Sequence, residues 1–331
     1  MSDNKGVMIL AETADGKLAT IATELLGAGR KLADDLGEEL SAVLVGADVS
    51  GLSQEAIAFG ADKVYVVEDA LLKDYQTDSF VAAVAKVADE APPKALLLGQ
   101  TSVGRDLAPR LAFRLNTAVS LDCIELAIDT GSKQLLQTKP VYGGSARAIF
   151  TTDSLPQVAT LRVKAGEPLA RDDSRKGEVV NVAAGLDASA VRVTVVETVL
   201  EEVEGIKLED ADIIVSGGRG MGGPEGFKDL EELAKVLKGA LGSSRPACDN
   251  GWVPDTIQVG LTGKIVSPDV YIAVAISGSS QHLAGCGGSK TIVAINRDPE
   301  ANIFKEAAFG VVGDWKKVVP AFKEKVKELL A

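Results

Sequence analysis

Short apolar runs alternate with longer stretches of helical spacing along most of this chain. Val7–Leu10 is the first run, followed after a polar turn by Leu18–Leu36 at helical spacing. Leu40–Val45 is strand-like, Leu52–Phe59 helical and Lys63–Val67 strand-like again. Ser79–Asp89 carries apolar residues at helix intervals, and Ala91-Pro92-Pro93 stops that helix. Ala95–Leu98 predicts a further strand, and a helix runs on through Leu115. Runs of Val, Leu and Ile bounded by turn signals suit buried strands, and their alternation with helices predicts a parallel sheet covered on both faces. The intervening loop, Gly99-Gln100-Thr101-Ser102-Val103-Gly104, lacks a G-K-[ST] phosphate signature. It is expected to be an ordinary strand-to-helix turn with Thr101 or Ser102 as the N-cap.

The rhythm changes from Ser120 to Val163. Gln134–Thr138, Ala146–Thr151 and Val158–Val163 alternate with glycine turns and predict antiparallel strands added to the edge of the first sheet. Gly166–Val203 is charged and broken and reads as a connector, with Val191–Val196 as a strand crossing between domains. The expected fold is thus α/β: an N-terminal parallel-sheet domain over residues 1–203, and a C-terminal doubly wound, Rossmann-like domain over 204–331. The second domain opens with the strand Asp212–Ser216, followed by Gly217–Gly223 and a helix from Pro224 to Lys238. Gly218, Gly220 and Gly223 satisfy G-x-G-x-x-G formally. The dinucleotide fingerprint also needs an acid about 20 residues on. Here Ala240–Arg245 supplies none, so the glycines read instead as a close-approach loop whose Arg219 faces a ligand. Gly310–Asp314 is expected to be the last strand, and Trp315–Leu330 an amphipathic helix interrupted by Pro320.

The chemistry concentrates in Gln258–Asn296. Two strand-like runs, Val270–Ile276 and Thr291–Ile295, flank the polar turn Ser277–His282, and a second Gly/Ser/Thr loop spans Gly260–Pro268. A Gly/Ser loop leaving the carboxyl end of a parallel strand turns backbone N–H groups into one crevice, the geometry that receives nucleotide phosphates. His282 is the only histidine. A lone histidine is more often a packing residue than a ligand, and a single arginine more often a surface charge.

Composition narrows the function classes. With 331 residues the chain can build two cores, and with 46% apolar but 4% aromatic residues those cores are aliphatic. A net charge of −12 argues against nucleic acid or an anionic membrane as principal partner. Cys123, Cys248 and Cys286 are odd in number and widely spaced, which fits reduced, inert thiols rather than disulfides or a zinc site. No apolar run is long enough to span a membrane, and the N-terminus shows neither signal peptide nor presequence, so a cytoplasmic location is expected.

SGGRG at 216–220, GSSR at 242–245, QVGLTGKIVSP at 258–268, YIAVAISGSSQHLAG at 271–285, SKTIVAIN at 289–296 and the strand ending at Asp314 occur in this order and spacing. Together they resemble the C-terminal flavin domain of the electron transfer flavoprotein α (large) subunit. The N-terminal part is similar to that subunit in length and rhythm. The resemblance implies one FAD in this chain, contacted by Arg219, Ser244, Arg245, Gln258, Val259, Gly260, Leu261, Thr262, Ser277, Gly278, Ser279, Ser280, Gln281, His282, Asn296 and Asp314. It places Thr262 near flavin N5, His282 at the pyrimidine carbonyl end and Arg245 beside the ring. It places Asn296 and Asp314 at the adenosine and Ser277–Ser280 at the pyrophosphate. Leu261 stands where many relatives have Gln, so that side-chain contact is absent.

Physical chemistry agrees with these roles. Positive charge or donors where a reduced flavin gathers negative charge raise its potential, by about 59 mV per 1.4 kcal/mol for one electron. Arg245 is a constant charge, and His282 is expected to be a pH-tunable one. The resemblance further implies a heterodimer with a β subunit that carries a second FAD or AMP. Its partners would be NADH or a flavin dehydrogenase such as acyl-CoA dehydrogenase, and prokaryotic relatives include electron-bifurcating forms. The chain would then be an electron-carrier subunit rather than a stand-alone enzyme. The alternatives are an NAD(P)-dependent dehydrogenase and a non-catalytic adenine-nucleotide-binding module.

Overall fold

The computed structural model describes residues 4–144, 146–187, 191–193, 195–197 and 205–330. The chain divides into two compact units: Met1–Val141 with Arg147–Val199, and Tyr142–Ala146 with Leu200–Ala331. The expected boundary at 203/204 lies outside the described residues.

In the first unit, strands alternate side chains between two cores. Val7 and Ile9 enter one, against the helix Thr20–Leu36. Met8 and Leu10 enter the other, against the helices Thr77–Glu90 and Ser102–Arg114. Burial on both faces explains why these strands are continuously apolar. Seven strands form the sheet in the order Glu178–Asn181, Lys63–Glu68, Leu40–Gly46, Val7–Leu10, Ala95–Gly99, Gln157–Leu161, Val119–Cys123, with parallel pairings throughout. The loop after Gly99 is the ordinary turn expected of it: Thr101 is the N-cap, its hydroxyl accepting from Gly104 N–H at 3.0 Å.

The strand-rich middle differs from expectation. Gln157–Leu161 is an interior parallel strand, not an antiparallel edge. A separate three-stranded sheet is formed by Glu125–Ile128, Leu135–Val141 and Ala146–Phe150, the first two pairing antiparallel. Every residue of Gln157–Leu161 is buried, and this two-sided burial is what a parallel interior position demands. Part of the predicted connector, Glu178–Asn181, pairs with Lys63–Glu68 as an edge strand. Residues 191–193 and 195–197 are not strand, and Thr194 lies outside the described residues.

The second unit holds six parallel strands in the order Gln258–Val259, Ala240–Ser244, Ile213–Gly217, Val270–Val274, Thr291–Asn296, Phe309–Val312. Numbered by sequence within the unit, this is 3-2-1-4-5-6, the doubly wound Rossmann order. The direction of winding reverses between Ile213–Gly217 and Val270–Val274. Val270–Val274 stops two residues early because Ala275 takes φ +54° and turns the chain out of the sheet. The terminal helix Trp315–Leu330 continues through Pro320 and packs Val319 into the core. Among the described residues no helix is long and apolar enough to cross a membrane.

Candidate functional site

Open parallel sheets bind ligands outside the carboxyl ends of their strands, where the strand order reverses. In the second unit that point is a cleft of about 730 Å³. Glycine builds it. A Cβ at Gly218 would lie 2.1 Å from Ala275 O, and one at Gly220 would lie 3.0 Å from Ala275 Cβ. The loops leaving the first and fourth strands therefore touch backbone to backbone, pinned by Gly218 N–H donating to Val274 O at 2.9 Å. Gly223, the third glycine of the formal fingerprint, faces open space.

Thirteen of the sixteen expected residues line this cleft: Arg219, Ser244, Arg245, Gln258, Val259, Gly260, Leu261, Thr262, Ser277, Ser279, Gln281, His282 and Asn296. Three are not brought into the lining. Gly278, at φ +82°, backs onto the Ile303 backbone, where a Cβ would lie 2.3 Å from its nitrogen. Ser280 turns its hydroxyl to Gln281 Oε1 at 3.3 Å. Asp314 instead holds the first turn of the terminal helix, its Oδ1 accepting from Lys316 N–H at 3.0 Å. The cleft also takes in residues not singled out from sequence, among them Ala275, Ile276, Arg297 and Asp298. Arg297 and Asp298 directly follow the Thr291–Asn296 strand, and that position was their available signal.

Several side chains have defined work. Gln258 Nε2 donates to Thr262 Oγ1 at 3.1 Å, which leaves the Thr262 hydroxyl proton for an acceptor in the cleft. Asn296 ties the fifth strand to the fourth loop: its Nδ2 donates to Ile276 O at 2.8 Å, and its Oδ1 accepts from Asp298 N–H at 3.0 Å. Leu261 anchors its loop by donating its N–H to Gln281 O at 2.8 Å while its side chain stays exposed. Arg245 is at the surface, 3.3 Å from Asp249.

His282 differs from expectation. It is 5% exposed, with Nε2 2.9 Å from the Tyr271 hydroxyl and Nδ1 buried without a hydrogen-bond partner. Burial pushes its pKa down to about 4, and the Val259 backbone offsets this only in part. The ring is therefore neutral near pH 7, a fixed dipole and not a tunable charge. The three cysteines are buried, and burial lifts the Cys123 and Cys286 thiols to about 12, leaving no reactive thiolate there. Among the described residues no group of three or more His, Cys, Asp and Glu side chains is placed to hold a metal ion.

The charge of the lining tests what the cleft suits. The lining includes three arginines, Arg219, Arg245 and Arg297, against one acid, Asp298, with Asp249 paired to Arg245 just outside it, in a chain of net charge −12. Such a local reversal favours a multiply charged anion such as a pyrophosphate. Hydroxyl and amide groups at Ser244, Gln258 and Thr262 beside apolar Val259, Leu261 and Ile276 suit a flat, polar-edged ring. These residues fit FAD.

Residues 7–187 match the family described as the electron transfer flavoprotein domain, and residues 207–287 match the electron transfer flavoprotein FAD-binding domain. The chain is 48% identical over 330 residues to the electron transfer flavoprotein subunit alpha of Thermoanaerobacterium thermosaccharolyticum, covering 99% of this chain and 100% of that one. It is 44% identical to the protein of the same description from Megasphaera elsdenii, with 99% and 98% covered. It is 41% identical to Protein FixB of Clostridium saccharobutylicum, with 100% and 99% covered.

Proposed function

Since the chain belongs to the electron transfer flavoprotein α-subunit family, we propose that it is the FAD-holding large subunit of a heterodimeric electron carrier. In this reading residues 204–331 hold one FAD, and residues 1–203 face a β subunit that carries AMP or a second FAD. The carrier accepts electrons from NADH or from a flavin dehydrogenase such as acyl-CoA dehydrogenase. It delivers them singly to an acceptor in the cytoplasm. A second FAD would make electron bifurcation available to the pair.

One observation carries this reading: the arginine-lined cleft at the strand-order reversal of the second unit. FAD supplies reversible one-electron chemistry. The chain's own contributions are electrostatic. Arg219, Arg245 and Arg297 attract the anionic cofactor, and Arg245 biases its potential upward. Thr262, its oxygen already engaged by Gln258, would have its proton free for an acceptor on the bound ring. Leu261 and Ile276 would offer the ring apolar surface in the cleft. Buried His282 adds a neutral dipole to the wall.

The competing NAD(P) reading is disfavoured because the second strand, Ala240–Ser244, runs into Arg245 without a carboxylate, and Gly223 makes no close approach. The test is a visible spectrum of the chain co-expressed with its β subunit, stepwise anaerobic reduction, and a count of released FAD and AMP. Flavin absorbance that bleaches in two one-electron stages is expected. One FAD plus one AMP marks simple transfer; two FAD, one of them reduced by NADH, marks bifurcation. A colourless complex that binds AMP but cannot be reconstituted with FAD would overturn the proposal in favour of an adenine-nucleotide-binding module.

A further inference from the structure

Three buried polar side chains meet beside the cleft in the second unit. Ser216 lies on Ile213–Gly217, Tyr271 on Val270–Val274 and His282 on Ser280–Cys286. Ser216 and Tyr271 have no exposure. The strand register sets Ile214 opposite Tyr271 and Ser216 opposite Ala273, so Ser216 and Tyr271 are diagonal neighbours on one face of the sheet. His282 comes down on them from the helix that follows the fourth strand. The Tyr271 and His282 rings are tilted at 56° with centroids 6.0 Å apart, so they meet through the hydroxyl and not by stacking.

A phenol without access to water must place its single proton on a neighbouring acceptor. Two neighbours offer an acceptor, Ser216 Oγ and His282 Nε2, and of the two only Nε2, at 2.9 Å, is in hydrogen-bonding geometry with the phenol. If Nε2 accepts, a neutral imidazole carries its proton on Nδ1. The surroundings of Nδ1 agree, because the Val259 backbone favours the proton-carrying ring, as a nearby carbonyl does. The opposite tautomer would set a bare Nδ1 lone pair against that backbone acceptor. A histidine kept only for packing has both nitrogens satisfied. Here Nδ1 has only the Val259 backbone nearby and no partner in full hydrogen-bonding geometry, and the same ring is part of the cleft wall.

We propose that Tyr271 is a positioning residue for the cofactor site: its hydroxyl donates to His282 Nε2, fixes the imidazole as the Nδ1–H tautomer and holds it neutral. The ring then joins three elements that shape the cleft. Tyr271 fixes it to the sheet, its own helix carries it, and Val259 belongs to the segment that presents Thr262. The titratable neighbours, Tyr271 and Cys286, are themselves held neutral by burial, so no group in the cluster supplies a charge that changes near pH 7. What His282 offers a bound ring is a dipole of constant direction. That last step rests on the flavin reading of the cleft; the tautomer assignment does not.

Because His282 is the only histidine, 15N-histidine labelling of the full chain gives one imidazole. Long-range 1H–15N correlation spectra are recorded with and without FAD from pH 8 to about 5. The expected result is a protonated Nδ1, a pyridine-like Nε2 and no titration in that range. In Tyr271→Phe the loss of the donor to Nε2 gives mixed tautomers and raises the titration midpoint by about one pH unit. The flavin potential of the loaded protein then gains a pH-dependent break that the parent lacks. An Nε2–H tautomer in the parent overturns the proposal, and so does a Tyr271→Phe spectrum with unchanged tautomer and midpoint. The parent spectrum decides the tautomer even if Tyr271→Phe does not fold. A chain that binds no FAD but shows the Nδ1–H tautomer sinks the flavin reading and leaves the clamp standing. A chain that binds FAD but shows Nε2–H sinks the clamp alone.

Discussion

Replacing Gly218 by alanine isolates the backbone contact that forms the cleft. Gly218 has φ −101° and ψ 179°, extended backbone open to any residue, so no conformational strain enters. The added Cβ would lie 2.1 Å from Ala275 O, 2.7 Å from its carbonyl carbon and 2.8 Å from Ile276 Cα. Carbon and oxygen rarely approach closer than about 3.3 Å, so the two loops must part by about 1.2 Å. That separation stretches the bonds from Gly218 N–H to Val274 O and from Gly220 N–H to Ala275 O. Overpacking costs about 1–3 kcal/mol and each of the two weakened hydrogen bonds about 0.5–1.5 kcal/mol, giving a loss of about 2–6 kcal/mol in the second unit. Both tryptophans, Trp252 and Trp315, pack against one core of that unit, so tryptophan fluorescence reports its unfolding specifically. The urea midpoint is expected to fall by about 1–2 M, and FAD affinity by about tenfold or more because Ala275 and Ile276 line the cleft. Gly223→Ala is the control within the same formal motif: its Cβ meets nothing within 4 Å, and its stability should stay within about 0.5 kcal/mol of the parent. A Gly218→Ala protein with the parent's midpoint and affinity would refute the close-approach reasoning.

Three further outcomes follow from charge and burial. Arg245→Ala should lower the first reduction potential of bound flavin by about 20–40 mV, since an exposed charge contributes about 0.5–1 kcal/mol; a dye-coupled reductive titration checks this, and added salt should shrink the difference. His282 has a folded pKa of about 4 against 6.5 when unfolded, so the unfolded chain binds more protons in between. The second unit should hold its stability above about pH 6.5 and lose up to about 3 kcal/mol as pH falls toward 4, and His282→Asn should remove that share of the slope in tryptophan-monitored urea unfolding. In the first unit the sign is opposite. Burial raises the carboxyls of Glu12 and Glu24 from 4.5 to about 7, so their contribution is present below about pH 4.5 and lost as pH rises through 7. Hydrogen-exchange protection of first-unit peptides should therefore decline, apart from the intrinsic rate change, from pH 5 to 8, and less so in Glu12→Gln and Glu24→Gln.

What was legible in the sequence depended on whether a property is local. The strands Val7–Leu10, Ala95–Gly99 and Thr291–Asn296 are buried or nearly so on both faces, and their apolar runs identify them without reference to anything distant. Gln157–Leu161 is equally apolar, but its neighbours Ala95–Gly99 and Val119–Cys123 are set by long-range pairing that no periodicity encodes. Ala240–Ser244 is short and rich in glycine and serine, so its β character comes from the flanking strands and not from propensity. Pro320 interrupts the helical pattern on paper, yet tertiary packing of Trp315, Val318, Val319 and Phe322 carries the helix through it.

The site divides along the same line. Gly218 and Gly220 admit a close backbone approach that a larger residue would block, and thirteen expected positions meet in one place. Ala275 lines the cleft because φ +54° turns it out of the sheet, a conformation that its residue type does not advertise. From residue type alone His282 reads as a tunable charge, because isolated imidazole titrates near neutrality. Its actual state is set by Tyr271, eleven positions away, and by the burial of both rings. A residue type specifies which proton states are available, whereas the fold decides which of them is occupied. The net charge of −12 carries the same lesson: it disfavours polyanionic partners for the surface as a whole, while three arginines lining one crevice give that crevice the opposite preference.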